Sequence, residues 1–484
     1  MTRKQLTDYE LELEYQNLLP DDFMYERLGP WPQPSANHPF GEVPAVLHVP
    51  FIETFNWWKK VGSRFLKDLI FYTPVALFRA WSDSGLKKLT DEQMSNYFWH
   101  TCYAKYLTSE ISNSNQALFK LFIKPDKKYF IVNFLAQELL DPIVGQHCEK
   151  TISLFESTGD FIKPIAINVK DYIVEPTDGD LWMMAKFIVM QGASTHINVC
   201  EHPKLHFPMD PINAITKSSL PKKHILFQLI YPHLEITLKL NYQVLNNKTS
   251  LLANKFWMIY APFPATSHSL RELLVVGYSG LKGNPSYNKY VYPVDGPIKV
   301  ETPFGTFHES YYKVYYEFAK DILSEIPKHD RFVTKWASYI HQQISSFPNE
   351  TEIWKDDTFI KVVAVLLWDI TLGHAVDHKT YSEIPIYYNP MRMRIACPKT
   401  RDLNFKFDLK KAVSILDQTK WIMANRLFYK PWNIANMIDV DYAFQKPILN
   451  EYVDKFRTAL KVVEKNLTTP NYMPVDEIPS SIQY

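Results

Sequence analysis

Five of the chain's 15 histidines, His196, His202, His206, His224 and His233, fall within the single stretch from Trp182 to Asn241. Clustered imidazoles suit a nitrogen-preferring transition metal, because each neutral ring offers one lone pair while its other nitrogen can be fixed by a hydrogen-bond acceptor. His202 and His206 stand four apart, a spacing that puts both rings on one helix face, one turn apart, within reach of a common ion. A second pair with the same spacing, His374 and His378, lies in GHAVDH, directly after the apolar run Val362 to Trp368, which reads as a buried helix. Either pair alone is ordinary for core histidines. Two pairs on two helices supply four nitrogens.

The surrounding residues resemble the catalytic domain of a lipoxygenase over most of the chain, from about residue 115 to the end. WMMAK at 182–186 is similar to the Trp-Leu-x-Ala-Lys that opens the family's first metal helix. The gaps from His206 to His224 and from His224 to His233 match the family's spacing after its third motif histidine, and LPKKHILFQLIYPHLEITLKLN resembles its continuation, ending at Asn241. GHAVDH is similar to the family's His-Ala-x-Val-Asn/His, and EIPSSIQY to its Ile-Pro-Asn-Ser-Ile-x-Ile terminus. The resemblance implies a mainly α fold, one large helical bundle with a small β subdomain. It also implies a non-haem iron dioxygenase, with manganese as the alternative metal, that takes hydrogen from a doubly allylic carbon of a polyunsaturated fatty acid or related lipid and adds O2 to give a hydroperoxide. Implied ligands are His202, His206, His374, His378 and the terminal carboxylate of Tyr484.

The departures from the family pattern bear on that site. Counting back from His206 by the family's interval lands on Glu201, whereas counting forward from Trp182 lands on His202, so the chain is one residue short between the two ligands. Four apart fits an ordinary α turn, while five apart needs a wide π turn. Pro203 complicates that helix, since proline removes a backbone donor and bends the chain. His202 is therefore taken as the ligand, with Glu201 kept as a carboxylate alternative and His196 read as the family's first, non-ligand histidine. In the pocket, Val244 and Leu245 stand where the family usually has Ala or Gly followed by Arg, so Val244 is expected to shield space near the substrate; an ordinary core valine is the competing reading. Tyr381 replaces a Gln that in many relatives tunes the metal. These differences keep two alternatives open: a metal oxygenase of the same fold acting on another substrate, and a relative that binds an apolar ligand without turnover.

The elements that must position such a site are consistent with this. With 484 residues, 46% of them hydrophobic and 15% aromatic, the chain can bury a sizeable core. Its formal charge of +1 gives no global field that would favour nucleic acid or an anionic membrane, which leaves only local patches open. Four widely spaced cysteines without a CxxC are expected to be free thiols in a reducing, cytoplasmic setting. No apolar leader opens the chain, and Val362–Trp368 is too short to span a membrane, so no transmembrane segment is expected. Residues 1–50, with the proline-dense GPWPQPSANHPF at 29–40, read as an extended arm, and 51–484 as the lipoxygenase-like domain. Helical periodicity runs from Phe51 to Leu107, with Thr90 or Asp91 capping its last helix, and the stripe Phe65, Phe71, Phe78 and Trp81 is expected in the core. LFKLFI and KKYFIVNF are expected as two short strands. Glycines concentrate between Asn241 and His308, which predicts a loop-rich region. ESYYKVYYEFAKDILSEI, DRFVTKWASYIHQQI and VDKFRTALKVVEKNL predict amphipathic helices. Neither a hydrolase elbow nor a nucleotide-binding glycine motif is present.

Overall fold

A computed structural model describes residues 25–28, 43–46, 51–235, 237–238, 240–280, 289–297, 301–431 and 434–482. The proline-dense stretch at 29–40 lies outside them. Two short strands flank it, β1 (Tyr25–Leu28) and β2 (Val43–Val46), paired antiparallel with Tyr25 opposite Val46.

Helices then dominate: α1 (Phe51–Trp57), α2 (Ser63–Phe71), α3 (Thr73–Ser82), α4 (Asp91–His100) and α5 (Asn113–Leu118). Thr90 caps α4, its side chain accepting from the Gln93 N–H while the Gln93 side chain returns a bond to the Thr90 N–H. The β subdomain is a four-stranded antiparallel meander: β3 (Tyr129–Asn133), β4 (Thr151–Ser157), β5 (Ile162–Val169) and β6 (Tyr172–Val174). The main bundle follows with α6 (Asp180–His196), α7 (His202–His206), α8 (Met209–Ser219), α9 (Ile225–Ile230), α10 (Leu240–Asn246), α11 (Ser267–Ser279), α12 (Pro303–Leu323), α13 (Arg331–Gln343), α14 (Thr358–Trp368), α15 (His374–Glu383), α16 (Ile415–Phe428) and α17 (Pro447–Lys465).

A short π turn joins α14 to α15, so Thr358–Glu383 forms one continuous helix at the centre of the molecule. By length and apolarity it qualifies as a membrane span, yet 89% of its apolar window is buried inside the fold. Burying Val362, Val363, Leu366 and Leu367, each worth about 1.5–3 kcal/mol, makes it the natural core of a helical bundle. α12 packs along α14 and α17, and α13 reaches α8, where the Trp336 indole donates to Thr216 over 3.0 Å.

Three expectations are corrected. LFKLFI is not a strand: Ser112 caps α5 by accepting from the Asn115 N–H, and the run continues as helical turns that bury Phe119 against Tyr129 and Ile131. A six-residue apolar run fits either period, and the cap decides. The glycine-rich region holds a full helix, α11, started by Thr266; Gly277 serves close packing, and Gly280, at φ +76°, ends the helix. The third concerns the aromatic stripe. Phe65 packs on Tyr260, but Phe71, Phe78 and Trp81 are exposed. The side turned inward from α2 and α3 carries Leu69, Ala76 and Ala80 beside Phe65, together with the buried Asp68.

Candidate metal centre

Both histidine pairs sit on α turns, and each begins where a π turn ends. In the first metal helix, Ile197–Glu201 is π-helical, and the His202 N–H bonds back five residues to the Ile197 carbonyl. Pro203 accounts for the wide turn. It has no N–H to give to Val199 and its ring would crowd that carbonyl, whereas the extra residue of a π turn opens the needed gap. In the second, Asp369–Gly373 is π-helical and the His374 N–H reaches the Asp369 carbonyl. Gly373 lets the turn lie against the Trp368 ring, which a Cβ would meet at 3.0 Å. α11 braces the first π turn from outside: a Cβ at Gly277 would lie 3.0 Å from both Cα and Cβ of Cys200.

The two helices bring together His202, His206, His374 and His378, whose nearest ring nitrogens all lie within 4.8 Å of one another. Their Nε2 atoms form a chain of contacts: His374 to His206 at 2.9 Å, His206 to His202 at 2.9 Å, and His202 to His378 at 3.2 Å. Hydrogen bonds account poorly for this arrangement, because Nε2 carries one hydrogen or one lone pair, while His202 and His206 must each serve two neighbours through that single atom. A cation accepts all four lone pairs at once. With metal–nitrogen distances of about 2.0–2.1 Å, ligands at right angles stand about 2.9 Å apart and tetrahedral ones about 3.4 Å, the range of the three contacts above. Burial depresses the basicity of every ring, that of His206 to about 3 and those of His202, His374 and His378 well below the ordinary value. Neutral rings keep their lone pairs for a metal.

The other candidates lie elsewhere. Glu201 pairs with Lys204 at 2.8 Å; burial disfavours its charge, but Lys204 and Lys105 outweigh that and lower its pKa. His196 packs between Phe134 and Tyr106, its basicity lowered to about 4 by burial. His233 is a core histidine, bonded to the Ser480 carbonyl and the Tyr442 hydroxyl, and His224 caps α9. Asn241 is buried, giving its side-chain N–H to the Phe207 carbonyl. Val244, on α10, is partly buried and packed against the main core. Tyr484 lies outside the described residues, but the segment before it is buried at Ser480, Ser481 and Ile482 and tied down through His233 and the Glu235 carbonyl.

Several neighbours were not anticipated from sequence. The Tyr429 ring lies 4.8 Å from that of His378 and 5.9 Å from that of His202, and its hydroxyl donates to Asn198. Asn198, in the π turn, gives its amide to the Ser194 carbonyl and to the Tyr381 hydroxyl. Tyr381 therefore belongs to a polar web beside the histidines. Asp377, between the two histidines of α15, forms a buried ion pair with Lys105. Nδ1 of His206 and of His374 has no hydrogen-bond partner among the described residues. Asn198 and Tyr429 carry no sequence signal of their own, since three distant segments create the web.

No protein-family model matches this sequence, and no curated protein does. Solved structures match over the whole length. The coral 8R-lipoxygenase structure aligns with 99% of this chain and 82% of its own, at 15% identity and a TM-score of 0.70. This chain has the lipoxygenase fold. The manganese lipoxygenase of Gaeumannomyces graminis aligns over 99% of both chains, at 12% identity and a TM-score of 0.70. The delta413-417:GS LOX in complex with arachidonate covers all of this chain and 83% of its own, at 13% identity and a TM-score of 0.73. At these identities the shared property is the fold; the four-histidine cluster is a property of this chain itself.

Proposed function

We propose that the protein is a non-haem metal dioxygenase of lipoxygenase type, acting on a polyunsaturated fatty acid or related lipid with O2 as co-substrate. The observation that carries this reading is the convergence of four neutral imidazoles, three of them buried and that of His202 partly so, on one point within a lipoxygenase fold. His202, His206, His374 and His378 hold the metal, with the terminal carboxylate of Tyr484 as a fifth ligand. Iron is the first choice and manganese the second; when bound, either supplies the one-electron redox chemistry that hydrogen abstraction requires.

The chain's own part is positional and electrostatic. Two π turns bring the imidazole pairs face to face, and burial keeps the rings neutral. Tyr429 and Tyr381, tied through Asn198, wall one side of the cluster and hold the His378 ring in place. The buried Lys105–Asp377 ion pair, neutral as a whole, ties α15 to the segment that follows α4. Val199, Cys200, Leu372 and Val376 on the metal helices are buried and apolar, which excludes bulk water and suits an apolar substrate.

Metal analysis of the purified protein together with oxygen uptake on a panel of polyunsaturated fatty acids tests this proposal. Iron or manganese near one per chain, with uptake and a conjugated-diene product, is expected. Metal without uptake on any member would move the reading to a different substrate, and protein that takes up neither metal in reconstitution would refute the site.

A further inference from the structure

α2 and α3 leave most of their large apolar side chains in solvent, although Phe65 and Leu69 pack inward. On α2 the only fully buried side chain is a carboxylate, Asp68, clamped by the Arg426 guanidinium at 3.1 and 3.2 Å. The outward face carries Leu66, Ile70 and Phe71, and on α3 it carries Val75, Leu77, Phe78 and Trp81. Phe71 is 70% exposed, Phe78 64% and Trp81 65%. Ahead of them, Phe55 and Trp58 are exposed too.

A second element with exposed aromatic rings lies beside α3. Met258 and Tyr260 share a core cluster with Ala76 and Ala80, which places the 255–258 loop beside α3. That loop displays Phe256, 84% exposed, and Trp257, 65% exposed. It is held from beneath, where the buried Lys420 ammonium donates to the carbonyls of Phe256 (2.9 Å) and Met258. The two rings are thus presented by a braced loop.

The charge of the face selects its occupant. From residue 51 to 83, which spans α1–α3, the chain has five basic residues, Lys59, Lys60, Arg64, Lys67 and Arg79, and three acids, Glu53, Asp68 and Asp83; Asp68 is buried against Arg426, Lys60 pairs with Glu235 and Asp83 with Lys87. The balance is positive, and besides Lys60 its exposed cations are Lys59, Lys67 and Arg79. A second copy docking through a two-fold axis would set this patch against itself and oppose cations to cations. An anionic lipid surface meets both properties: Trp and Phe settle at the headgroup level, and lysines and arginines engage acidic headgroups. We propose that α1–α3 and the 255–258 loop form a docking face for an anionic lipid bilayer, on which the protein lies without crossing it. This docking requires neither metal nor turnover, so its failure would leave the dioxygenase proposal untouched.

Flotation of the full chain with phosphatidylcholine vesicles, with and without phosphatidylserine, tests the face. The chain is expected to float with the phosphatidylserine vesicles and to be released by salt. Phe71→Ser with Phe78→Ser should weaken binding at least about tenfold, since two large apolar groups leave the interface. Lys59→Glu with Lys67→Glu, both on exposed positions that fold without them, should weaken it by about fivefold or more per residue. Leu121→Ser, at an exposed leucine in the helical turns after α5, should change nothing. A chain that stays unbound with both vesicle types overturns the proposal, as does binding that survives the serine and glutamate pairs. A dimer in sedimentation that Phe78→Ser splits would assign the face to a second copy instead.

Discussion

Gly277→Ala is the most direct probe of how the metal helix is held. The new methyl would sit 3.0 Å from Cα and Cβ of Cys200 and 3.1 Å from its Sγ, closer than nearly all real contacts. Two of those three atoms cannot rotate away, because Cys200 lies inside the π turn that delivers His202. Relief needs a shift of a few tenths of an ångström between α11 and that turn. Overpacking of this kind costs about 1–3 kcal/mol, whereas Ala in place of Gly within a helix recovers about 1 kcal/mol. The expected net loss is therefore about 0–2 kcal/mol, modest for the fold. Metal affinity should suffer more, by about tenfold, because metal–ligand distances tolerate only about 0.2 Å. Chemical denaturation gives the first quantity, and metal retention against a graded chelator gives the second. Gly277→Ala with Cys200→Gly removes two of the three clashing atoms and should recover affinity, giving a coupling opposite in sign to the single change. A single variant with wild-type stability and wild-type metal retention would refute the bracing argument.

Replacing His202, His206, His374 or His378 by Ala should each remove most of the metal while circular dichroism stays helical, whereas His196→Ala should retain it; metal content by elemental analysis decides, and the reverse pattern would show that the wrong histidines have been assigned. Val244→Gly should alter the ratio of oxygenated products more than it alters the melting temperature, and an unchanged product ratio would place that residue away from the reacting carbon. Adding one residue after Tyr484 should cut metal content and activity sharply, since a neutral amide is a poorer ligand than a carboxylate; unchanged metal in such a variant would remove the fifth ligand from the proposal.

Chemistry restricts residue type and spacing, which is why the four histidines were legible from the sequence: few side chains bind a transition metal, and i, i+4 pairs share a helix face. The turns that deliver them were less so. A π turn adds one residue to a helix without changing its composition, and Pro203 announced a distortion without saying where the chain would absorb it. The web of Asn198, Tyr381 and Tyr429 was illegible for a different reason, since its members meet only after α15 and α16 have packed against α6 and its π turn. Gly277 misled because glycine signals both loops and tight packing, and only the distance to Cys200 separates the two.

The exposed stripe marks a further limit of periodicity. Apolar residues at three-to-four spacing establish that α2 and α3 have an apolar face, but the period carries no information about which way that face points. Burial of apolar area would favour turning Leu66, Ile70 and Phe71 inward by about 25 cal/mol per Å². The fold instead turns Asp68 inward, against the desolvation cost of a carboxylate, and meets that cost with a two-pronged bond from Arg426 on α16. The proposed bilayer docking would reward the exposed part of that face, which separates these helices from the central one. Thr358–Glu383, apolar enough to span a bilayer, is consumed by the core; α2 and α3, far too short to span one, are left with their apolar residues in solvent.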